Sequence, residues 1–240
     1  FGVVWAFIQP VITVLLYWFV FEFGLHQKVN DLRTGIEVPF VLWLMGGLVP
    51  WFYFQEALNG GTGVLDEYSY LVKKVVFQID ALPVVKLISA LFTHAFFVVF
   101  MLVVFAVMGF YPDLYVLQVV YYSFCMVMFT AGLIYATSAV TVFFRDMKEV
   151  VAILLQIGMW VTPIMWNFES MQGIPKWAVV LLKLNPMYYI VSGYRDALIN
   201  KTAFWEYPGL TLWFWGITLF TLWAGTTVFK RLRVHFADVL

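Results

Sequence analysis

Cysteine, histidine and charge are all scarce in this 240-residue chain. The one cysteine, Cys125, lies inside an apolar run. It excludes a disulfide framework or a cysteine metal site within one chain and reads as a small buried hydrophobe. The three histidines, His26, His94 and His235, are too scattered for a ligand set of local spacing, so no metal site is expected. Charged residues make up only 12%, and fourteen basic residues balance fourteen acidic ones. Neither a basic nucleic-acid face nor an acidic solvating tail follows from that balance. The phosphate-cradling pattern G-x-x-x-x-G-K-[ST] is absent, so no ATP is expected to be hydrolysed here. Gly60-Gly61-Thr62-Gly63 lacks the Lys-Ser/Thr sequel and reads as a hinge or break. No nucleophile, base and orienting group stand together. Asp66-Glu67 is a carboxylate pair whose loop context marks it as a solvated or partner-facing helix start. His94 is the one ionisable residue well inside an apolar run, with Glu22, Glu56 and Lys86 near run ends. A histidine packed between helices outweighs a proton relay there, and no internal repeat supports an inverted-repeat transporter.

What the chain has is apolar bulk. Hydrophobic residues make up 63% and aromatic residues 20%, and the mean hydropathy of +0.89 is outside the range of a soluble domain. A helix needs about 20 apolar residues to cross the hydrocarbon of a bilayer. Six segments are read as spans: Val3 to Phe23, Pro39 to Leu58, Val84 to Phe110, Leu114 to Phe144, Val150 to Trp166 and Leu210 to Phe229. The expected fold is therefore an all-α polytopic membrane protein, one transmembrane domain over residues 1–240. Polar links lie between the spans, from Gly24 to Val38 and from Asn59 to Pro83, with short turns at Tyr111-Pro112-Asp113 and Arg145-Asp146-Met147-Lys148. Residues 167–209 mix short apolar runs with Pro175, Asn185-Pro186, Arg195-Asp196 and Lys201. They read as a re-entrant hairpin of two half-length helices, and composition alone fits a surface amphipathic pair equally well. The cluster Lys230-Arg231-Leu232-Arg233 abutting the last span places both termini in the cytoplasm. Phe1 opens in an apolar run without an initiator Met, so a natural N-terminal segment is expected to precede it.

Aromatic rings exceed what interfacial belts need. Most face lipid, and a minority are candidates to line a path on which flat rings stack against sugars: Trp5, Tyr17, Trp43, Trp51, Tyr53 and Phe54. Around them Gly46, Gly47 and Pro50 let a helix bend and another backbone approach.

A sequence resemblance runs through nearly the whole chain. Gln9-Pro10 is followed by Tyr17-Trp18-Phe19-Val20-Phe21, then Val38-Pro39-Phe40, Gly47-Leu48-Val49-Pro50-Trp51-Phe52 and Leu71-Val72-Lys73-Lys74-Val75. Phe144-Arg145-Asp146, Thr162-Pro163-Ile164, Asn185-Pro186-Met187-Tyr188-Tyr189-Ile190 and Gly193-Tyr194-Arg195 extend the series. In order and spacing these resemble the permease subunits of ABC-2 exporters, specifically those for wall teichoic acid and, more distantly, O-antigen and capsular polysaccharide. Family members carry an amphipathic helix before the first span, and Gln78-Ile79-Asp80 stands where they often have a Pro-containing stretch.

The resemblance implies a non-enzymatic half-transporter in a bacterial cytoplasmic membrane. Two copies pair with two ATP-binding cassette subunits, which bind the ATP and Mg, and an undecaprenyl-pyrophosphate-linked polymer passes at the permease dimer interface. It implies ATPase coupling by Asp66, Glu67 and Tyr68 within residues 59–83 and by Arg145, Asp146 and Lys148. Lys73 and Lys74 would meet the substrate's pyrophosphate at the entrance, although anionic lipid headgroups explain two lysines as well. Pro175, Asn185, Pro186, Tyr188, Tyr189 and Arg195 would belong to external gate helices within 167–209. Rival readings are O-antigen or capsule export, a membrane enzyme acting on lipid-linked glycans, and an ion-coupled transporter.

Overall fold

Each of the six apolar segments is a helix in the computed structural model, which describes residues 2–24, 29–30, 37–72, 78–167 and 173–239. The first, α1 (Gly2–Trp18), continues as a π-helical turn through Phe19–Gly24. A two-residue antiparallel pair, β1 (Val29–Asn30) with β2 (Glu37–Val38), closes the first link. Then come α2 (Phe40–Thr62), the one-turn helices α3 (Val64–Glu67) and α4 (Ser69–Val72), and α5 (Ala81–Val107). A short 3-10 turn, whose Asp113 side chain accepts from the Tyr115 N–H at 3.0 Å, leads into α6 (Leu117–Phe143). The chain continues through α7 (Met147–Val161), α8 (Lys176–Leu184), α9 (Pro186–Arg195), α10 (Pro208–Leu232) and α11 (Phe236–Val239).

Among the described residues, three stretches are long and apolar enough to cross a membrane by length and composition: Ala81–Val107, Leu114–Phe143 and Pro208–His235. Packing orders the rest around α2, which is buried on every side from Phe40 to Pro50. A helix apolar all round belongs in an interior, and α2 lies against α5, α6, α7 and α9. Helix α7 is shorter, 15 residues or about 22 Å at the usual rise, and buries only Val151 and Leu155 of its surface.

Two boundaries depart from the sequence reading: α7 ends at Val161, before Pro163, and does not reach Trp166, and the end of α2 is displaced. The second span runs beyond Leu58 through Gly60 and Gly61 to Thr62, and the break comes at Gly63. Gly61 serves packing there: a Cβ on it would lie 2.6 Å from Ile134 of α6. Helices α6 and α10 make the most extensive helix pair and cross on a second glycine contact. A Cβ on Gly225 would meet the Gly132 carbonyl oxygen at 2.1 Å, so the two backbones touch with nothing between them.

Candidate functional site

Charge concentrates at one end of the bundle, where α2 ends, α5 begins, α6 turns into α7, and α10 finishes. Gly63 breaks α2, and the one-turn α3 that follows presents two carboxylates. Asp66 pairs with Lys148 of α7 at 2.7 Å, and Glu67 pairs with Lys86 of α5 at 2.7 Å. The Lys86 ammonium also lies 5.5 Å over the Tyr68 ring. Gly63 leaves room for the partner: a Cβ there would stand 3.2 Å from Cε of Lys148. Asp80, just before α5, pairs with Arg233 past the end of α10, and its carbonyl accepts from the Tyr135 hydroxyl at 3.1 Å. Beneath this layer Val64, Leu65, Leu82, Val142, Phe229 and Phe236 form a small apolar cluster of their own. The result is a platform in which four helix ends are tied by charge and seated on packing. Arg145 and Asp146 are exposed beside it. Lys73 and Lys74 lie outside the described residues.

The opposite end carries the α8–α9 hairpin. Pro175 stands at the N-cap of α8 and Pro186 at the first position of α9. The Asn185 side chain caps α9 by accepting from the Met187 N–H at 3.0 Å, while its amide donates to Thr162 Oγ1 at 2.8 Å. Thr162 precedes Pro163, which turns the chain out of α7. Tyr188 is buried, and the Tyr189 hydroxyl meets those of Tyr121 at 3.2 Å and Thr211 at 3.0 Å.

The last three residues of α9 each solve a different packing problem. Gly193 lets α9 approach α6 so closely that a Cβ would fall 2.1 Å from the Tyr122 ring. The Tyr194 hydroxyl enters a buried polar node with Ser123 Oγ at 2.6 Å and His94 Nε2 at 2.9 Å. Arg195, only 7% exposed, turns toward α2. Its guanidinium lies 3.4 Å over the Trp43 ring and donates to the carbonyls of Trp43 at 3.2 Å, Pro163 at 2.7 Å and Ile164 at 2.8 Å. Hydrogen bonds from a charged group are worth about 1.5–3 kcal/mol each. Gly46 and Gly47 make the space, since a Cβ on Gly47 would sit 2.8 Å from Nη2.

Between the two ends, a groove of about 220 Å³ follows the seam of α2, α6 and α7 from Leu58 and Thr137 to Thr162 and Asn185. Trp51 and Phe54 line it from α2, one turn apart. Gly158 of α7 accommodates the Trp51 ring, standing 3.0 Å from it when given a Cβ.

The ABC-2 type transporter family pattern matches residues 1–199. The chain belongs to the ABC-2 type transporter family. It is 25% identical over 237 residues to the O-antigen export system permease protein RfbA of Myxococcus xanthus, covering 99% of this chain and 87% of that protein. A protein of the same name from Klebsiella pneumoniae is 25% identical over 244 residues, covering 100% of this chain and 87% of that protein. The polysialic acid transport protein KpsM of Escherichia coli is 25% identical over 231 residues, covering 95% of this chain and 85% of that protein.

Within this ABC-2 chain, the structure joins both candidate coupling segments through Asp66 and Lys148. It distributes the six candidate aromatics. Trp51 and Phe54 line the groove, Trp43 is covered by Arg195, and Tyr53 is buried against His94. Trp5 is exposed, and Tyr17 is half-buried, edge-on to Phe21. Sequence reasoning missed the Tyr194, Ser123 and His94 node and the carbonyl cage of Arg195. The adjacent glycines Gly46-Gly47 were the available signal for the second, since they announced a close approach without naming what approaches.

Proposed function

We propose that this ABC-2 chain is the permease subunit of an exporter that moves a lipid-linked polysaccharide outward while a separate subunit hydrolyses ATP. The observation that carries it is the likeness, over almost the full chain, to permeases named for O-antigen export and polysialic acid transport. The architecture supports it from both ends. The ion-paired platform of Asp66, Glu67, Lys86 and Lys148 suits a docking surface for an ATPase, being charged, fixed to several helices and backed by packing. The buried α9 and its neighbour α8 suit an external gate. On this reading the platform and both termini face the cytoplasm, and the complex contains two permeases and two ATPases. The cargo is carried on undecaprenyl pyrophosphate, and Lys73 and Lys74 supply point charges for its pyrophosphate. Wall teichoic acid is the polyol-phosphate alternative within the same cargo class, supported by the resemblance of the sequence motifs.

The test is ATPase activity of the chain reconstituted with its ATPase subunit in nanodiscs, with lipid-linked neutral polysaccharide or lipid-linked poly(polyol phosphate) added. Stimulation by the neutral glycan alone supports O-antigen or capsule export. Stimulation by the phosphate polymer alone supports teichoic acid. Failure of the chain to form any complex would overturn the exporter reading, and turnover of the lipid-linked substrate without the ATPase would replace it with a membrane enzyme.

A further inference from the structure

The two helices of the outer hairpin are held in opposite ways. Helix α9 has eight of its ten residues buried, and polar anchors fix it along its length. Asn185 ties its start to Thr162, Tyr189 ties its middle to Tyr121 and Thr211, and Tyr194 and Arg195 tie its end to α5, α6, α2 and the turn after α7. Helix α8 has no buried residue, and its main packing partner is α9. Trp177, Val180, Leu181 and Leu184 form an exposed apolar stripe at helical spacing along it. Between the two, Asn185 is extended at φ −66° and ψ 120°, the conformation a residue before proline favours, and Pro186 has no N–H to continue α8 into α9.

We propose that Arg195 is a positioning residue that makes α9 the stationary wall of the outer gate, so that gating motion is confined to α8 swinging about Leu184-Asn185. The proposal rests on the exporter reading above and goes beyond it by assigning unequal roles to the two helices. Moving α9 would take the guanidinium off three carbonyls and an indole face and strip the polar node of its tyrosine. Moving the part of α8 before Lys183 exchanges mainly apolar contacts that lipid can replace, while the Trp213 indole N–H, which donates to the Leu184 carbonyl at 3.0 Å, holds the pivot end of the helix in place.

The experiment is amide hydrogen exchange of the chain reconstituted with its ATPase subunit and lipid-linked polysaccharide, at rest and during ATP turnover. In the wild type, exchange over residues 176–184 is expected to rise during turnover while 186–195 stays protected. In Arg195→Gln, which gives up all three charge-assisted bonds, the turnover-dependent rise is expected to spread into 186–195 by about tenfold or more, the equivalent of at least one such bond, with Arg195→Lys between the two. Gly47→Ala is the second variant, since its Cβ displaces the guanidinium while Arg195 remains, and it is expected to give the same spread. Equal turnover-dependent exchange in both helices of the wild type would overturn the proposal. So would variants that weaken both helices alike with and without ATP, because that is the mark of a merely structural arginine. Absence of turnover-dependent exchange anywhere in the chain would overturn the exporter reading and the proposal with it.

Discussion

At the scale of single residues, Gly193 is the position where the smallest change has the clearest consequence. A methyl group there would overlap the Tyr122 ring at 2.1 Å, and both residues are held by well-packed helices. Gly193→Ala is therefore expected to destabilise the protein by about 1–3 kcal/mol, the usual cost of overpacking. The measurement is thermal unfolding in detergent. Adding Tyr122→Leu, which clears the space, is expected to restore part of the loss, and a double variant no more stable than the single one would contradict this origin. The tripeptide Gly193-Tyr194-Arg195 is legible in the sequence as a motif. Its reasons are not, because Tyr122, Ser123, His94 and Trp43 converge on it from three different helices.

At the scale of elements, the charged platform is a contact between segments far apart in the chain. Asp66 and Lys148 are partly exposed, so their pair adds only about 0–1 kcal/mol to stability. Its value lies in registering α3 against α7. Asp66→Lys or Lys148→Asp alone is expected to leave unfolding nearly unchanged but to reduce polymer-stimulated ATP hydrolysis. The double exchange is expected to recover that activity, and measuring the four proteins side by side separates a pairwise role from two independent charges. The sequence marked Asp66, Glu67 and Lys148 by their position in polar links. It had no means of pairing them, since residue spacing across two helices depends on how far each helix runs. Helix α2 shows the difficulty: its apolar run ends near Leu58, yet packing of Gly61 on Ile134 carries the helix on to Thr62.

At the scale of the molecule, alternation of helix direction places Glu149 and Arg231 at the platform end, and Leu114 and Lys176 at the hairpin end. All four are exposed. With Cys125 replaced by Ala, single cysteines at these positions are expected to react with a membrane-impermeant thiol reagent from opposite sides: 149 and 231 from one, 114 and 176 from the other. Labelling of 149 and 176 from the same side would mean that α7, at 15 residues, does not cross. The sequence by itself determined the membrane class, the six helical segments and the places where charge collects. These are properties of local composition and length, which the bilayer reads directly. Only the tertiary structure decided that α2 is the interior helix, that two glycine contacts set the helix spacings, and that Arg195 is caged by carbonyls and an indole. Each of these depends on which surfaces meet, and an apolar sequence, hydrophobic on every face, leaves that choice to packing.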